Sequence, residues 1–163
     1  MGSGCPGLDE AKAAASAHVA SREFMLGDSA TADSAVYVYA DTPTAVHVFA
    51  QLTSHRTTKC LVHALKEAVG FEAAAQGATL DSVTQHHLII EPVGDEDASR
   101  VLVVRVSDGP VNATAYADVI YVRVGRSIAA FSLGSVGQLF DSGLENKLAT
   151  AVSGRLRSGL GSS

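Results

Sequence analysis

The apolar residues of this chain change their spacing near residue 79. Before it they recur three and four apart; after it they alternate with polar residues. The first spacing belongs to a helix with one buried stripe, the second to a strand with one buried face. Ala45, Val46, Phe49 and Leu52 mark one helix, opened by Thr42 as cap and Pro43 as first helical residue. Cys60, Leu61, Ala64, Leu65, Ala68 and Val69 mark a second helix from about Thr58, with Gly70 as its stop. Residues 71–78 are ambiguous between a further helical turn and a loop. Earlier, residues 34–40 form a strand with Val36 and Val38 on one side and Tyr37 and Tyr39 on the other. Residues 23–26 suggest a shorter strand ended by Gly27-Asp28-Ser29, and residues 8–18 a short helix.

The second half reads as four strands, at residues 82–91, 99–107, 114–124 and 127–133. Turn residues join them at 92–97, at Asp108-Gly109-Pro110 and at Gly125-Arg126, the pattern of an antiparallel meander. Asp141 then caps a last helix with Leu144, Leu148, Ala151, Val152 and Leu156 on one face. The expected fold is α+β: an antiparallel meander sheet with helices packed on one face and a C-terminal helix closing the domain. No repeat or shift in composition divides the chain. Residues 21–158 are expected to be a single domain, 1–20 an N-terminal arm in part vector-derived or flexible, and 159–163 a tail.

Alternation also sorts the sheet faces. Leu102, Val104, Val106, Ile120, Val122 and Val124 form an apolar set expected to pack under the helices. Arg105, Tyr121 and Arg123, with Tyr37 and Tyr39, fall in the opposite set, and antiparallel sheets often keep one face partly wet. That face is where a ligand is expected. Guanidinium groups hold carboxylate, phosphate or sulfate through paired hydrogen bonds, and tyrosine adds an apolar body with a polar tip. The plainer alternative is a set of ordinary strand residues covering neighbouring apolar surface.

With 163 residues, 47% hydrophobic and 18% charged, the chain can bury a proper core and is not a disordered tail. The net charge of −5 and scattered basic residues argue against nucleic acid, which calls for a clustered basic face. No stretch approaches the roughly 18–20 apolar residues of a membrane span. The start Met1-Gly2-Ser3-Gly4 reads as a vector remnant. Three readings stand for Cys5 and Cys60: two free thiols, a disulfide if the chain is exported, or a lipid anchor at Cys5, since Ser3-Gly4-Cys5 has suitably small residues.

Candidate chemistry is sparse. Cys60-x-x-His63 has ligand-like spacing, and His55 with His86 or His87 could extend it, but zinc sites show tighter, repeated patterns. No metal or cofactor is expected. No Gly-x-Ser-x-Gly elbow appears, and Cys60 has no evident base, so no catalytic residues are expected. Gly94-Asp95-Glu96-Asp97 reads as a solvated turn too short for a calcium loop. Gly125-Arg126 joins two strands and is not a phosphate loop, and Asn112-Ala113-Thr114 is a chance-level glycosylation triplet.

The segment Ala117-Asp118-Val119-Ile120-Tyr121-Val122-Arg123-Val124-Gly125-Arg126, with Phe140-Asp141 opening a helix that ends in Arg155-Leu156, carries a resemblance. It resembles actinobacterial extracytoplasmic sensor-type domains and lipoproteins related to the PknH-like extracellular domain of receptor Ser/Thr kinases. Residues 36–39, the 45–52 helix and Lys59-Cys60-Leu61 fit the same layout, so the resemblance spans about residues 34–156. It implies a helix-backed antiparallel sheet outside the membrane, with a cleft for a small ligand and no catalytic residues. With two cysteines and no tryptophan, a free-standing or lipid-anchored relative is the closer match. The expected function is a non-enzymatic ligand-binding or sensing domain of the cell envelope, its partner a small molecule or an envelope protein. The rivals are a carrier of a lipid in a closed apolar cavity, a hydrolase or cyclase using His86, His87 or Asp118 in one deep pocket, and a module dimerising through a strand edge.

Overall fold

The computed structural model describes residues 4–160. Its elements run α1 (Pro6–Ala14), β1 (Ala17–Ala20), β2 (Phe24–Leu26), β3 (Ala30–Val38), α2 (Thr42–Thr53), α3 (His55–Ala75), β4 (Thr79–His87), β5 (Glu96–Asp108), β6 (Val111–Val124), β7 (Ser127–Val136) and α4 (Ser142–Leu160). The fold is α+β. The strands form one antiparallel sheet in the order β1-β3-β7-β6-β5-β4, and β2 joins β1 along the outer edge of β3. Strands β4 to β7 are the expected meander, and the C-terminal helix closes the domain.

Helix boundaries follow their caps. The Asp41 carboxylate accepts a 2.8 Å hydrogen bond from the Thr44 amide, so Asp41 is the cap of α2 and Thr42 its first residue. Ser54 caps α3 by accepting from the Thr57 amide at 3.2 Å, three residues ahead of the expected start. Nor does α3 stop at Gly70. It continues to Ala75, and Gly77 at φ +79° supplies the left-handed residue after the last turn. Glycine inside a helix costs only about 1 kcal/mol relative to alanine, which packing against β4 readily offsets. Asp141 caps α4 as expected, accepting from the Leu144 amide at 2.7 Å.

The expected N-terminal arm belongs to the domain from Pro6 onward. Gly7 lets α1 settle onto α2 and α3: a Cβ there would lie 2.2 Å from Thr57 Oγ1 and 2.8 Å from the Gln51 carbonyl oxygen. The Tyr39 hydroxyl donates to the Ala11 carbonyl at 3.2 Å, and β1 pairs with β3. Ala- and Ser-rich sequence concealed this, because small residues give close packing no periodic apolar signal. Of the expected termini, residues 1–3 and 161–163 lie outside the described residues.

The face assignment needs correction. Val111 pairs with Asp108 across the two-residue loop Gly109-Pro110, which sets even-numbered residues of β5 against odd-numbered residues of β6. Cross-strand partners share a face. Leu102, Val104 and Val106 therefore lie with Tyr121 and Arg123, while Arg105 lies opposite Thr114 on the side of Ile120, Val122 and Val124. Helices pack on both faces. Ile120, Val122, Phe131 and Leu133 pack with Ala149, Leu148 and Val152 under α4. Tyr121 and Ile128 pack with Ala11, Ala45, Val48, Phe49 and Leu52 under α1 and α2.

Candidate functional site

A cavity of about 410 Å³ lies between the α1–α3 layer and the sheet. Its floor is a grid set by strand register. Asp33 of β3, Ser132 of β7 and Val119 of β6 form one row across the strands; Ala35, Ala130 and Tyr121 form the next. The central Ala35–Ala130 pair is too small to reach the helices, so space remains between the larger residues around it. Tyr37 walls one side, with His18 stacked on it at 6.1 Å between ring centroids. The roof is Leu8, Asp9, Ala11 and Lys12 of α1, completed by Leu52 of α2 and Leu61 of α3.

A covalent clamp holds this roof. Cys5, the N-cap residue of α1, is bonded to Cys60 of α3, the residue before Leu61. Of the three cysteine readings the disulfide is the one present. Closing a loop of this length lowers the entropy of the unfolded chain, a stabilisation of typically 2–4 kcal/mol. The bond also fixes where α1 sits relative to α3, and so the shape of the cavity between them.

The five expected ligand residues are not brought together. Tyr37 and Tyr121 line the cavity. Burial pushes the Tyr121 hydroxyl up to about 12, an effect that nearby Arg100 opposes and Tyr37 reinforces. Tyr39 lies beneath α1, fully buried, and burial raises its hydroxyl well above the usual tyrosine range. Arg123 is a structural staple. Its guanidinium donates to Glu96, to Asp95 at 3.3 Å and to the Gly125 carbonyl at 2.9 Å, fixing the start of β5 to the β6–β7 turn. Arg105 is exposed on the far face. Sequence reasoning missed Asp33 and Lys12. Asp33 keeps the period of Ala35 and Tyr37, so extending the strand by one residue would have found it; Lys12 sits in the segment taken for an arm.

A second polar feature lies under α4. Asp118 of β6 and Glu145 in the first turn of α4 are each 1% exposed, and their carboxyl groups face each other. Burial is the main cause that pushes Glu145 up to about 8, with the neighbouring Asp118 carboxyl and the charge of Asp141 acting in the same direction; Asp118 Oδ1 and both Glu145 carboxyl oxygens are buried with no hydrogen-bond partner among the described residues. Burial raises Asp118 too. Two adjacent carboxyls away from water hold one proton between them more readily than two charges. Neither lines the cavity under α1, and His86 and His87 stand elsewhere: His86 meets Thr84 at 3.2 Å, His87 borders a shallow hollow beside Arg100. With Cys60 in the disulfide, the Cys60/His63 ligand pattern has lost its thiolate, and no group of three ligating side chains occurs among the described residues.

No family model matches this chain, and no curated protein matches it. Among solved structures it is similar to PA94, a protein of unknown function from Pseudomonas aeruginosa, at 11% identity over 73% of this chain and 68% of the other. The TM-score is 0.22, too loose a likeness to carry fold or function.

Proposed function

We propose that this chain is a non-enzymatic extracytoplasmic domain of the cell envelope that binds or senses a small molecule in the cavity under α1. The observation that carries this reading is the cavity itself: a mixed apolar and polar space of about 410 Å³ with a disulfide across its roof. Small-molecule sites are concave and mostly apolar with a few placed polar groups, and this volume falls at the lower end of their usual ~300–1,000 Å³. Disulfides persist chiefly in oxidising compartments, which favours a location outside the cytoplasm. No helix among the described residues is long and apolar enough to cross a membrane. The resemblance to envelope sensor domains points the same way.

Charged and hydroxyl groups in the lining (Asp9, Lys12, Asp33, Ser132) weigh against a carrier of wholly apolar lipids. His86, His87 and Asp118 stand apart, so the hydrolase or cyclase reading gains no support. The partner we assign is a small molecule; an envelope protein, a homodimer through the β1/β2 edge and a lipid anchor have no observation favouring them here.

Native mass spectrometry of protein purified from its own host tests the proposal. A retained small molecule is expected in the unaltered chain and absent from Ala130→Leu, which fills the floor of the cavity. A molecule retained equally by both would place binding elsewhere.

A further inference from the structure

Two opposite charges face this cavity without a protein partner. Asp33 stands on the floor in the middle of β3, half-buried, beside Ser132. Lys12, an exposed residue, stands at the roof in the last turn of α1. Among the described residues neither makes an ion pair, with the other or with any third group. Asp9, the remaining charge in the lining, does have a partner. A half-buried carboxylate on the floor is poorly matched to an apolar guest, which would strip its water without replacing it. A simple anion or cation would meet only one of the two charges.

Between them the lining is apolar and aromatic: Leu8, Leu61 and Val119, with the ring of Tyr121. We infer that the cavity takes a small zwitterion with an apolar or aromatic body, an amino-acid-like molecule whose ammonium meets Asp33 and whose carboxylate meets Lys12. The inference rests on the cavity being the binding site and adds the class of ligand. Charge-assisted hydrogen bonds at both ends would orient the molecule, and the tyrosine face adds a favourable surface for the ammonium or an aromatic side chain. Ser132 and Tyr37 also line the cavity and bring hydroxyl groups to its wall.

The test uses the full disulfide-bonded chain and four probes of one body: phenylalanine, phenethylamine, 3-phenylpropanoate and toluene. Binding is followed by titration calorimetry and by shifts of the Tyr37 and Tyr121 ring resonances. Phenylalanine is expected to bind at least about tenfold more tightly than either singly charged probe, the worth of one charge-assisted hydrogen bond. Asp33→Asn is expected to weaken phenylalanine and phenethylamine but spare 3-phenylpropanoate. Lys12→Met is expected to do the reverse, and these opposite selectivities cannot come from a general loss of folding. Toluene or one singly charged probe binding as well as phenylalanine would overturn the zwitterion while leaving the cavity as a site. No ring shift with any probe would overturn both.

Discussion

Under α4 the sheet presents Ile120, Val122, Phe131 and Leu133, none more than 5% exposed, and these fill the space to the helix. Under α1 the same sheet presents Ala35, Ala130 and Ser132, and a cavity remains. Residues one apart on β7, Ala130 and Phe131, thus do opposite things. The polar groups divide in the same way. The filled face seals in Asp118 and Glu145 as a facing pair of acids; the hollow face holds Asp33 and Lys12 without ion-pair partners. Side-chain volume in the central rows decides which face is structural and which is available, because a closely packed interior leaves no room for a guest.

The largest effect expected is on the roof. Replacing both cysteines, Cys5→Ser with Cys60→Ser, should cost roughly 2–4 kcal/mol in urea unfolding. Hydrogen exchange should show α1 losing protection while α4 keeps its own. Equal loss in both helices would mean that the faces form one cooperative unit, and the contrast between them would fail.

Next in size is a dependence on pH from the filled face. Glu145 is raised in the folded state to about 8, so folding favours its protonated form. The contribution is fully present below the ordinary glutamate range near pH 4.5 and is lost as pH rises toward 8, by at most ~1.4 kcal/mol per pH unit. Asp118, also raised, acts in the same direction at the acidic end. The α4 N-terminus favours the ionised form and tempers the slope. Glu145→Gln removes the titrating carboxyl at nearly the same volume and should flatten the profile of chemical unfolding between pH 5 and 8, a window set by the raised carboxyl. An unchanged slope would remove the acid pair from the account.

A matched pair of enlargements compares the faces directly. Ala149→Leu, at a site 1% exposed under α4, should cost about 1–3 kcal/mol by overpacking. Ala130→Leu enters existing space and should change stability by less than about 1 kcal/mol, in either direction, while blocking the cavity. Thermal unfolding of both variants settles it; equal costs would show that the cavity collapses onto its contents.

The four-strand meander, its turns and the cap of α4 were legible because each depends on local chemistry: alternation, glycine in turns, Asp141 before an apolar stripe. The α1–β1 segment was not, since its contacts are made through Gly7 and Ala11, residues whose importance lies in having little side chain. Glu145 was illegible for another reason: a first-turn glutamate reads as a helix-end charge, and only tertiary placement sets it against Asp118. The site was half legible. Tyr37 and Tyr121 were picked from the correct strands, but Arg105 was placed on the wrong face by counting each strand's alternation separately. The Gly109-Pro110 loop, plain in the sequence, fixes the register that relates them.

Arg105 therefore supplies the smallest predicted effect and the sharpest check of that register. It lies across from Thr114 and near Ser82, on the α4 side of the sheet, with its side chain exposed. If alternation alone ruled, Arg105 would share a site with Tyr121, and Arg105→Ala would cost a ligand its ion pair. By the observed register it should change stability by no more than about 0.5 kcal/mol and leave cavity binding untouched. Arg123→Ala, on the cavity side of the same sheet, should instead destabilise by roughly 2 kcal/mol through the lost bonds to Glu96, Asp95 and Gly125. A measurable loss of cavity binding in Arg105→Ala, with stability unchanged, would put Arg105 on the ligand face and break the assignment of the two faces.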